Sequence, residues 1–221
     1  MANMNQNQAR FNMVEQQIRT WDVLNPRVLS VLHETPRENF VPNRFLKLAY
    51  ADTEITIGHH QMMDKPLISA RLLEALDMQE NETVLEVGTG SGYLTALLAQ
   101  LAQHVYSIDQ SSEFVEKAKQ TLSELNIKNV TFTTADITNG YTDHAPYDAI
   151  ACTSSFPESV PTALLQSLKV GGRMFAIIGQ TPIMEATLIT RKSETEWHHE
   201  ALFETETTPI DGISLKPQFV L

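Results

Sequence analysis

The sequence lacks the marks of several protein classes. It has one cysteine, Cys152, in 221 residues, so no disulfide forms within the chain and a reducing compartment is the expected setting. No apolar run approaches the roughly 18 residues a membrane helix needs. The start, MANMNQNQARFN, has no apolar core of a secretory signal. A cytoplasmic protein without membrane association is therefore expected. CxxC and HExxH are absent, and the paired histidines His59/His60 and His198/His199 lie far apart, so no metal is expected. His198 and His199 read as surface residues. Basic residues are few: 16 Lys and Arg against 27 Asp and Glu give a formal net charge of −11, and they form no run. Such a chain has no generic attraction for phosphate backbones, so no nucleic-acid partner is expected.

What remains is an ordinary globular composition, 42% hydrophobic and 19% charged, on a chain long enough for one α/β domain with a sizeable core. Residues 8–20 carry Phe11, Val14 and Ile18 at helical spacing, one face of a first helix. Asn25-Pro26 opens a second, since asparagine caps and proline suits the first helical position. Val28, Leu29, Val31 and Leu32 form its apolar side. Residues 37–66 read as irregular, a length uncommon for a loop unless it is functional.

From residue 67 helices and strands alternate. The helix LISARLLEALDM precedes the strand TVLEVG (83–88). The helix YLTALLAQLA (93–102), with Leu94, Leu97, Leu98 and Leu101 on one side, precedes the strand HVYSID (104–109). A helix over 113–126 leads to the strands VTFTTAD (130–136) and YDAIACT (147–153). A helix over 161–168 leads to the strand GRMFAIIG (172–179). MEATLITRK and WHHEALFET then come with no helix between them. The expected fold is α/β: a doubly wound, mainly parallel, Rossmann-like sheet with an N-terminal helical extension and an antiparallel C-terminal edge. LKPQFVL (215–221) ends on apolar residues and is expected to be tied down.

Gly88, Gly90 and Gly92 lie between TVLEVG and its helix, where glycine lets the backbone approach a ligand closely. A dinucleotide loop is G-x-G-x-x-G, and its third glycine would fall at Tyr93. The G-x-G-x-G spacing after Glu86 resembles instead the loop of class I methyltransferases, which bind S-adenosylmethionine. Asp109 ends the next strand, 21 residues after Gly88, and can accept hydrogen bonds from ribose hydroxyls. Asp136 ends the strand after that, where such enzymes place an acid facing the adenine amine, with Ile137 beside it. Alone, either aspartate reads as a cap on the following helix. With the glycines they outline a cofactor site of Glu86, Gly88, Thr89, Gly90, Gly92, Asp109, Asp136 and Ile137.

The segments MVEQQIR (13–19), PRVLSVL (26–32), PRENFVP (36–42), AYADTEITIGHHQ (49–61), VLEVGTGSGYLTA (84–96), APYDAIACT (145–153) and LKVGGRMFAIIG (168–179) carry a wider resemblance. In that order they are similar to protein-L-isoaspartate O-methyltransferases over most of the chain. The resemblance implies a single methyltransferase domain, 1–221. Its helical extension and substrate loop would occupy 1–66, and the cofactor-binding core 67–221. It implies S-adenosylmethionine as cofactor and isoaspartyl-containing proteins or peptides as partners. Members of the family methylate the isoaspartyl carboxylate; the ester closes to a succinimide and reopens in part as aspartate, repairing an aged protein.

One stretch departs from the family. Its substrate loop reads T-I-S-Q-P after G-x-G-Q, and the serine is implied to position or activate substrate. Gly58, Gln61 and Pro66 match, but Met62, Met63, Asp64 and Lys65 replace the residues between. An acceptor carboxylate needs no base, and a serine hydroxyl holds it by a neutral hydrogen bond. Asp64, with a reference pKa of about 3.9, is a second anion.

Three outcomes are open. Lys65 neutralises Asp64 and isoaspartate binding survives weakened; Asp64 serves as general base for a hydroxyl, phenol or amine acceptor; or the protein binds the cofactor without catalysis. The plain alternative is that Asp64 and Lys65 point to solvent. Asp64 and Lys65 are thus the catalytic candidates. His60, Gln61, Met62 and Met63 are the substrate-loop candidates, with Thr153 and Ser154, which also fit an ordinary hydroxyl-rich loop. Cys152 reads as an inert core thiol.

Overall fold

The structure, a computed structural model, describes residues 2–136 and 141–210. Ile137 and the segment 215–221 lie outside the described residues.

Helix α1 (Ala2–Asn12) runs into a π-helical segment, Met13–Ile18, and a 3-10 turn, Arg19–Trp21. The expected single face does not survive this. A π segment widens the helical turn and so rotates the residues after it relative to those before. Val14 and Ile18 are fully buried with Met13, while Phe11 is left 50% exposed. Helix α2 (Pro26–Glu34) starts as its sequence dictates. Asn25 Oδ1 accepts from Arg27 N at 2.9 Å, Pro26 comes directly after the cap, and Val28, Val31 and Leu32 are buried.

The stretch 37–66 is not irregular. It holds two 3-10 turns, Arg37–Phe40 and Asn43–Leu48, and then an antiparallel hairpin of β1 (Ile55–Gly58) and β2 (Gln61–Met63). His59 and His60 make its tip, with φ of 48° and 59°. A two-residue hairpin turn of this hand wants Asn-Gly or Gly-Gly at these places, so neither the strand lengths nor the turn residues announced it. His60→Gly is expected to stabilise the protein by up to about 1 kcal/mol, the left-handed cost relieved less the entropy glycine adds to the unfolded chain. A raised urea midpoint checks this; a lowered one would mean that the imidazole makes a contact outweighing the strain.

Helix α3 (Pro66–Leu76) leads into the alternating part: β3 (Thr83–Val87), α4 (Tyr93–Leu101), β4 (His104–Asp109), α5 (Ser112–Glu124) and β5 (Val130–Thr134). Strand β6 (Tyr147–Phe156), α6 (Thr162–Gln166), β7 (Leu168–Gln180), β8 (Ile183–Arg191) and β9 (Trp197–Glu204) complete it. The seven-stranded sheet has the order β5-β4-β3-β6-β7-β8-β9; β3 to β7 pair in parallel, and β8 and β9 are antiparallel. The doubly wound fold with its antiparallel edge is as expected. His198 and His199 are exposed on β9.

Helix α4 departs from its one-sided pattern. Tyr93, Thr95, Ala96, Leu97, Leu98, Ala99 and Leu101 are all buried, because α4 is enclosed between the sheet and α2 rather than lying on the surface. Along β3 the side chains alternate: Val84 enters the core under α2, α3 and α4, while Leu85 and Val87 enter the one under α6. After β3 the chain builds outward through β4 and β5, then returns to add β6 on the other side. That reversal opens a crevice at the carboxyl end of β3, where such sheets bind ligands.

Candidate active site

The glycine loop fills this crevice. Gly88 N and Thr89 N both donate to Ile108 O, at 2.8 and 3.2 Å, tying the loop to β4. Gly88 has φ +92°, and a Cβ added there would meet nothing within 4 Å. The bare backbone therefore faces open space, as close approach of a ligand requires. Gly92, with φ +81°, is the N-cap of α4. It is glycine for a second reason: a Cβ would lie 2.8 Å from Ala118 Cβ on α5.

The acids of the sequence pattern have separate places. Asp109 sits at the cleft, its Oδ2 accepting from Gly90 N at 2.9 Å and its Oδ1 from Ser111 N at 2.8 Å. Asp136 is exposed at the rim beside the lining residue Ala135 and accepts from Gln110 Nε2 at 3.3 Å. Glu86 does not line the cleft. It is fully buried behind the loop, where its Oε2 accepts from Thr95 Oγ1 and Ser107 Oγ, both at 2.6 Å, and its Oε1 has no partner. Thr89 is likewise turned inward, its Oγ1 2.7 Å from Ser107 Oγ. Glu86 thus holds the loop from beneath, while Thr89 lines the second space with its hydroxyl turned inward.

Burial pushes the Glu86 carboxyl up to about 8, against the pull of the Ser107 and Thr95 hydroxyls. It is protonated at neutral pH. Its folded value lies above its unfolded value of 4.5, so the stability it contributes is present below 4.5 and lost between there and about 8. Glu86→Gln is expected to melt with the wild type at pH 5 and well above it at pH 9, by on the order of 3–5 kcal/mol. Equal melting at both pH values would disprove it.

Two contiguous spaces meet at this loop. The first, about 410 Å³ of open space, has apolar walls of Val87, Ile108, Ala135 and Ile210 and a polar edge of Gln61, Asp109, Gln110 and Ser154. That suits a flat purine with its ribose. The second, about 510 Å³, shares Gln61, Gly88, Asp109 and Ser154 with the first and adds Met62, Asp64, Thr153, Ser69, Tyr93 and Arg37. The hairpin of β1 and β2 arches over the loop, Ile57 Cδ1 lying 3.5 Å from where a Cβ on Gly90 would stand. Its tip is held to α5 by His59 Nε2 and Glu113 Oε2 at 2.8 Å.

Asp64 is therefore half-buried and faces the cavity. Burial raises its carboxyl to about 6; a hydrogen bond from Thr153 and the Arg37 charge lower it, and Glu54 raises it. Arg37 Nη2 also donates to the Asp64 carbonyl. Lys65 is not the neutralising partner. It is exposed, lines neither space and forms no ion pair among the described residues, because the chain turns outward between Asp64 and the buried first residue of α3, Pro66. His60 is exposed at the hairpin tip, away from the cavity, while Met63 packs into the core at 5% exposure and still lines the second space. Cys152 is fully buried, and burial pushes its thiol up to about 12, as an inert core thiol should be.

Sequence reasoning missed Arg37, Tyr93, Ser69 and Ile210 at this site. Arg37 had one signal, a charged residue inside the Pro36–Pro42 stretch close before the substrate loop. Tyr93, noticed only as a missing glycine, is a cavity wall. Ile210 arrives through the segment after β9, where Ser155 N donates to Thr208 O and Ile210 N to Ser155 O; only the fold could bring it there.

A glycine loop at the switch point of a doubly wound sheet, an acid ending the next strand, and a cleft shaped for a nucleoside define a class I methyltransferase. The chain belongs to the protein-L-isoaspartate(D-aspartate) O-methyltransferase family, whose sequence model matches residues 7–212. It is 40% identical over 185 residues to the protein-L-isoaspartate O-methyltransferase of Syntrophus aciditrophicus (strain SB), covering 84% of each chain. It is similar to a solved protein-L-isoaspartate O-methyltransferase with a TM-score of 0.80 at 25% identity, over 92% of this chain and 66% of that one. A Plasmodium falciparum structure described as a putative enzyme of this kind, in complex with S-adenosyl-L-homocysteine, shares the fold, with a TM-score of 0.76 at 18% identity over 92% and 97% of the two chains. The protein is a methyltransferase, and S-adenosylmethionine is its family's cofactor. The open face of Gly88 and the mixed apolar and polar cleft fit that group. No helix among the described residues is long and apolar enough to cross a membrane.

Proposed function

We propose that the protein methylates isoaspartyl carboxylates in proteins and peptides, with protonated Asp64 taking the part of the family's serine. The observation that carries this is the placement of Asp64 in the cavity beside the glycine loop, with its carboxyl raised to about 6. The cofactor supplies an activated methyl group on a sulfonium. Gly88 and Gly90 would let it approach, Asp109 would hold the ribose, and Asp136 would stand toward the adenine. Glu86, Thr89 and Gly92 keep the loop in shape. The acceptor carboxylate would take the methyl in line as its bond to sulfur breaks and S-adenosylhomocysteine leaves, so this chain's task is orientation and exclusion of water. A neutral Asp64 donates one hydrogen bond to that carboxylate, as a hydroxyl would. Gln61, Met62, Thr153 and Ser154 complete the wall around it, and Lys65 has no part in the chemistry. The reading includes one domain spanning residues 1–221 and a cytoplasmic setting, which the single reduced cysteine favours.

A second reading has its own support. Arg37 beside Asp64 favours the ionised carboxyl, which would suit a general base for a hydroxyl, phenol or amine acceptor. A non-catalytic cofactor-binding protein is disfavoured by the intact loop. The test is methyl transfer to an isoaspartyl peptide, read as S-adenosylhomocysteine formed, for the native protein and Asp64→Ser. Activity in both supports isoaspartyl methylation. Activity in Asp64→Ser alone supports a redirected acceptor, and silence from both removes isoaspartate as the substrate.

A further inference from the structure

Two polar side chains in the acceptor cavity carry buried atoms without hydrogen-bond partners, although Arg37 Nη2 donates to the Asp64 carbonyl. Arg37 is fully buried, and its Nε and Nη1 have no acceptor; Tyr93 is 2% exposed, and its hydroxyl has none either. The guanidinium lies over the Tyr93 ring, with Cζ 4.8 Å from the centroid. The phenol oxygen is near enough to support the guanidinium charge and makes a weak polar contact with it, whose geometry falls short of satisfying either group. A buried guanidinium left partly unbonded is costly, because its lost hydration is not replaced. The two carboxyls lining the same cavity leave those atoms unbonded, although the Asp64 charge supports the guanidinium through space. Asp64 is turned to Thr153, and Asp109 accepts from Gly90 N and Ser111 N.

We propose that Arg37 and Tyr93 form a carboxylate-binding subsite at the floor of the acceptor cavity. A carboxylate answers both needs, since its oxygens accept from guanidinium and phenol and its charge offsets the buried cation. Water would answer only the first. The carboxylate has two sources, the methyl acceptor and the amino-acid end of the cofactor. The inference rests on the reading that this cavity receives the acceptor. Under that reading, protonation removes the Asp64 charge that otherwise supports Arg37, and the incoming carboxylate takes its place.

Tyr93→Phe is the decisive variant, because the ring keeps its packing on Arg37 and on Phe40, 5.5 Å away, and loses only the unpartnered hydroxyl. It is expected to melt at or above the wild type, as removal of a buried unbonded group should allow. Binding is measured by calorimetry at pH 6 for Tyr93→Phe and Arg37→Lys. With S-adenosylhomocysteine bound, succinate and an isoaspartyl tripeptide should each bind at least tenfold more weakly than to wild type; this places the acceptor's carboxylate in the subsite. If S-adenosylhomocysteine instead binds tenfold more weakly, while its decarboxylated analogue binds as to wild type, the subsite holds the cofactor's carboxylate. Should Arg37→Lys not fold, Tyr93→Phe decides alone. Weakened succinate binding in a protein that does not methylate the tripeptide would retire isoaspartate and leave the subsite standing. Unchanged affinities in Tyr93→Phe, or a wild type that binds no succinate together with unchanged S-adenosylhomocysteine affinity, overturn the inference.

Discussion

Methyl transfer to an isoaspartyl peptide is expected to fall about tenfold per pH unit above pH 6 in the native protein and to stay flat in Asp64→Ser. The acceptor carboxylate is ionised throughout this range, so the titrating group is Asp64, raised to about 6 by burial and Glu54 and restrained by Thr153 and Arg37. Below that value it is a neutral donor; above it, it is an anion facing another anion. At pH 8 about one molecule in a hundred retains the proton, so kcat/KM should be about 100-fold below its acid plateau. Asp64→Ser is neutral at every pH and should exceed the native protein at pH 8. The general-base reading has the opposite slope, rising from pH 5 to 7 and then level, for a hydroxyl, phenol or amine acceptor.

Stability supplies an independent check of the same carboxyl. Its folded value lies above the unfolded 3.8, so the stability it contributes is full below 3.8 and is lost as pH rises to about 6. Asp64→Asn should therefore melt higher than the native protein above pH 6 and alongside it at pH 4. A native activity profile that is flat from pH 5 to 8 would exclude both roles for Asp64.

Gly92→Ala is expected to destabilise the protein by about 2–5 kcal/mol, adding a left-handed backbone cost to overpacking. The residue has φ +81°, and the new Cβ would stand 2.8 Å from Ala118 Cβ, 3.3 Å from Ala118 Cα and 3.3 Å from Leu122 Cδ1. Ala118 offers no flexible end to move away, so α5 must shift from the sheet or α4 must start elsewhere. Either change displaces the glycine loop, and S-adenosylhomocysteine affinity should fall with stability. Gly90→Ala is the contrast, since its nearest atom would be Ile57 Cδ1 at an ordinary 3.5 Å. Denaturant midpoints and calorimetry read both variants; a Gly92→Ala midpoint matching wild type would show that α5 gives way freely.

Local periodicity and spacing were enough for much of this protein. The central parallel strands β3 and β6 carry short apolar runs that are buried on both faces. Asn25-Pro26 caps α2 through chemistry carried by those two residues. Gly88, Gly90 and Gly92, with Asp109 one strand away, announce the cofactor loop because each is tied to the end of a strand visible in the sequence. The departure at Asp64 was legible too, as a residue type.

Other features belong to tertiary structure, because they depend on partners distant in the chain. The hairpin 55–63 has strands too short to show a period and a histidine pair at its tip; it exists because it lies across the glycine loop and is held to α5. The face of the first helix was misread because a π segment rotates it. Lys65, beside Asp64 in sequence, points away from it in space, while Arg37, 27 residues earlier, stands next to it. Sequence determined by itself that this is an α/β protein with a glycine loop for S-adenosylmethionine and an acid where a hydroxyl belongs. Only the tertiary structure decided the state of that acid, because burial, Thr153 and Arg37 set its proton affinity, and the fold alone brings them together.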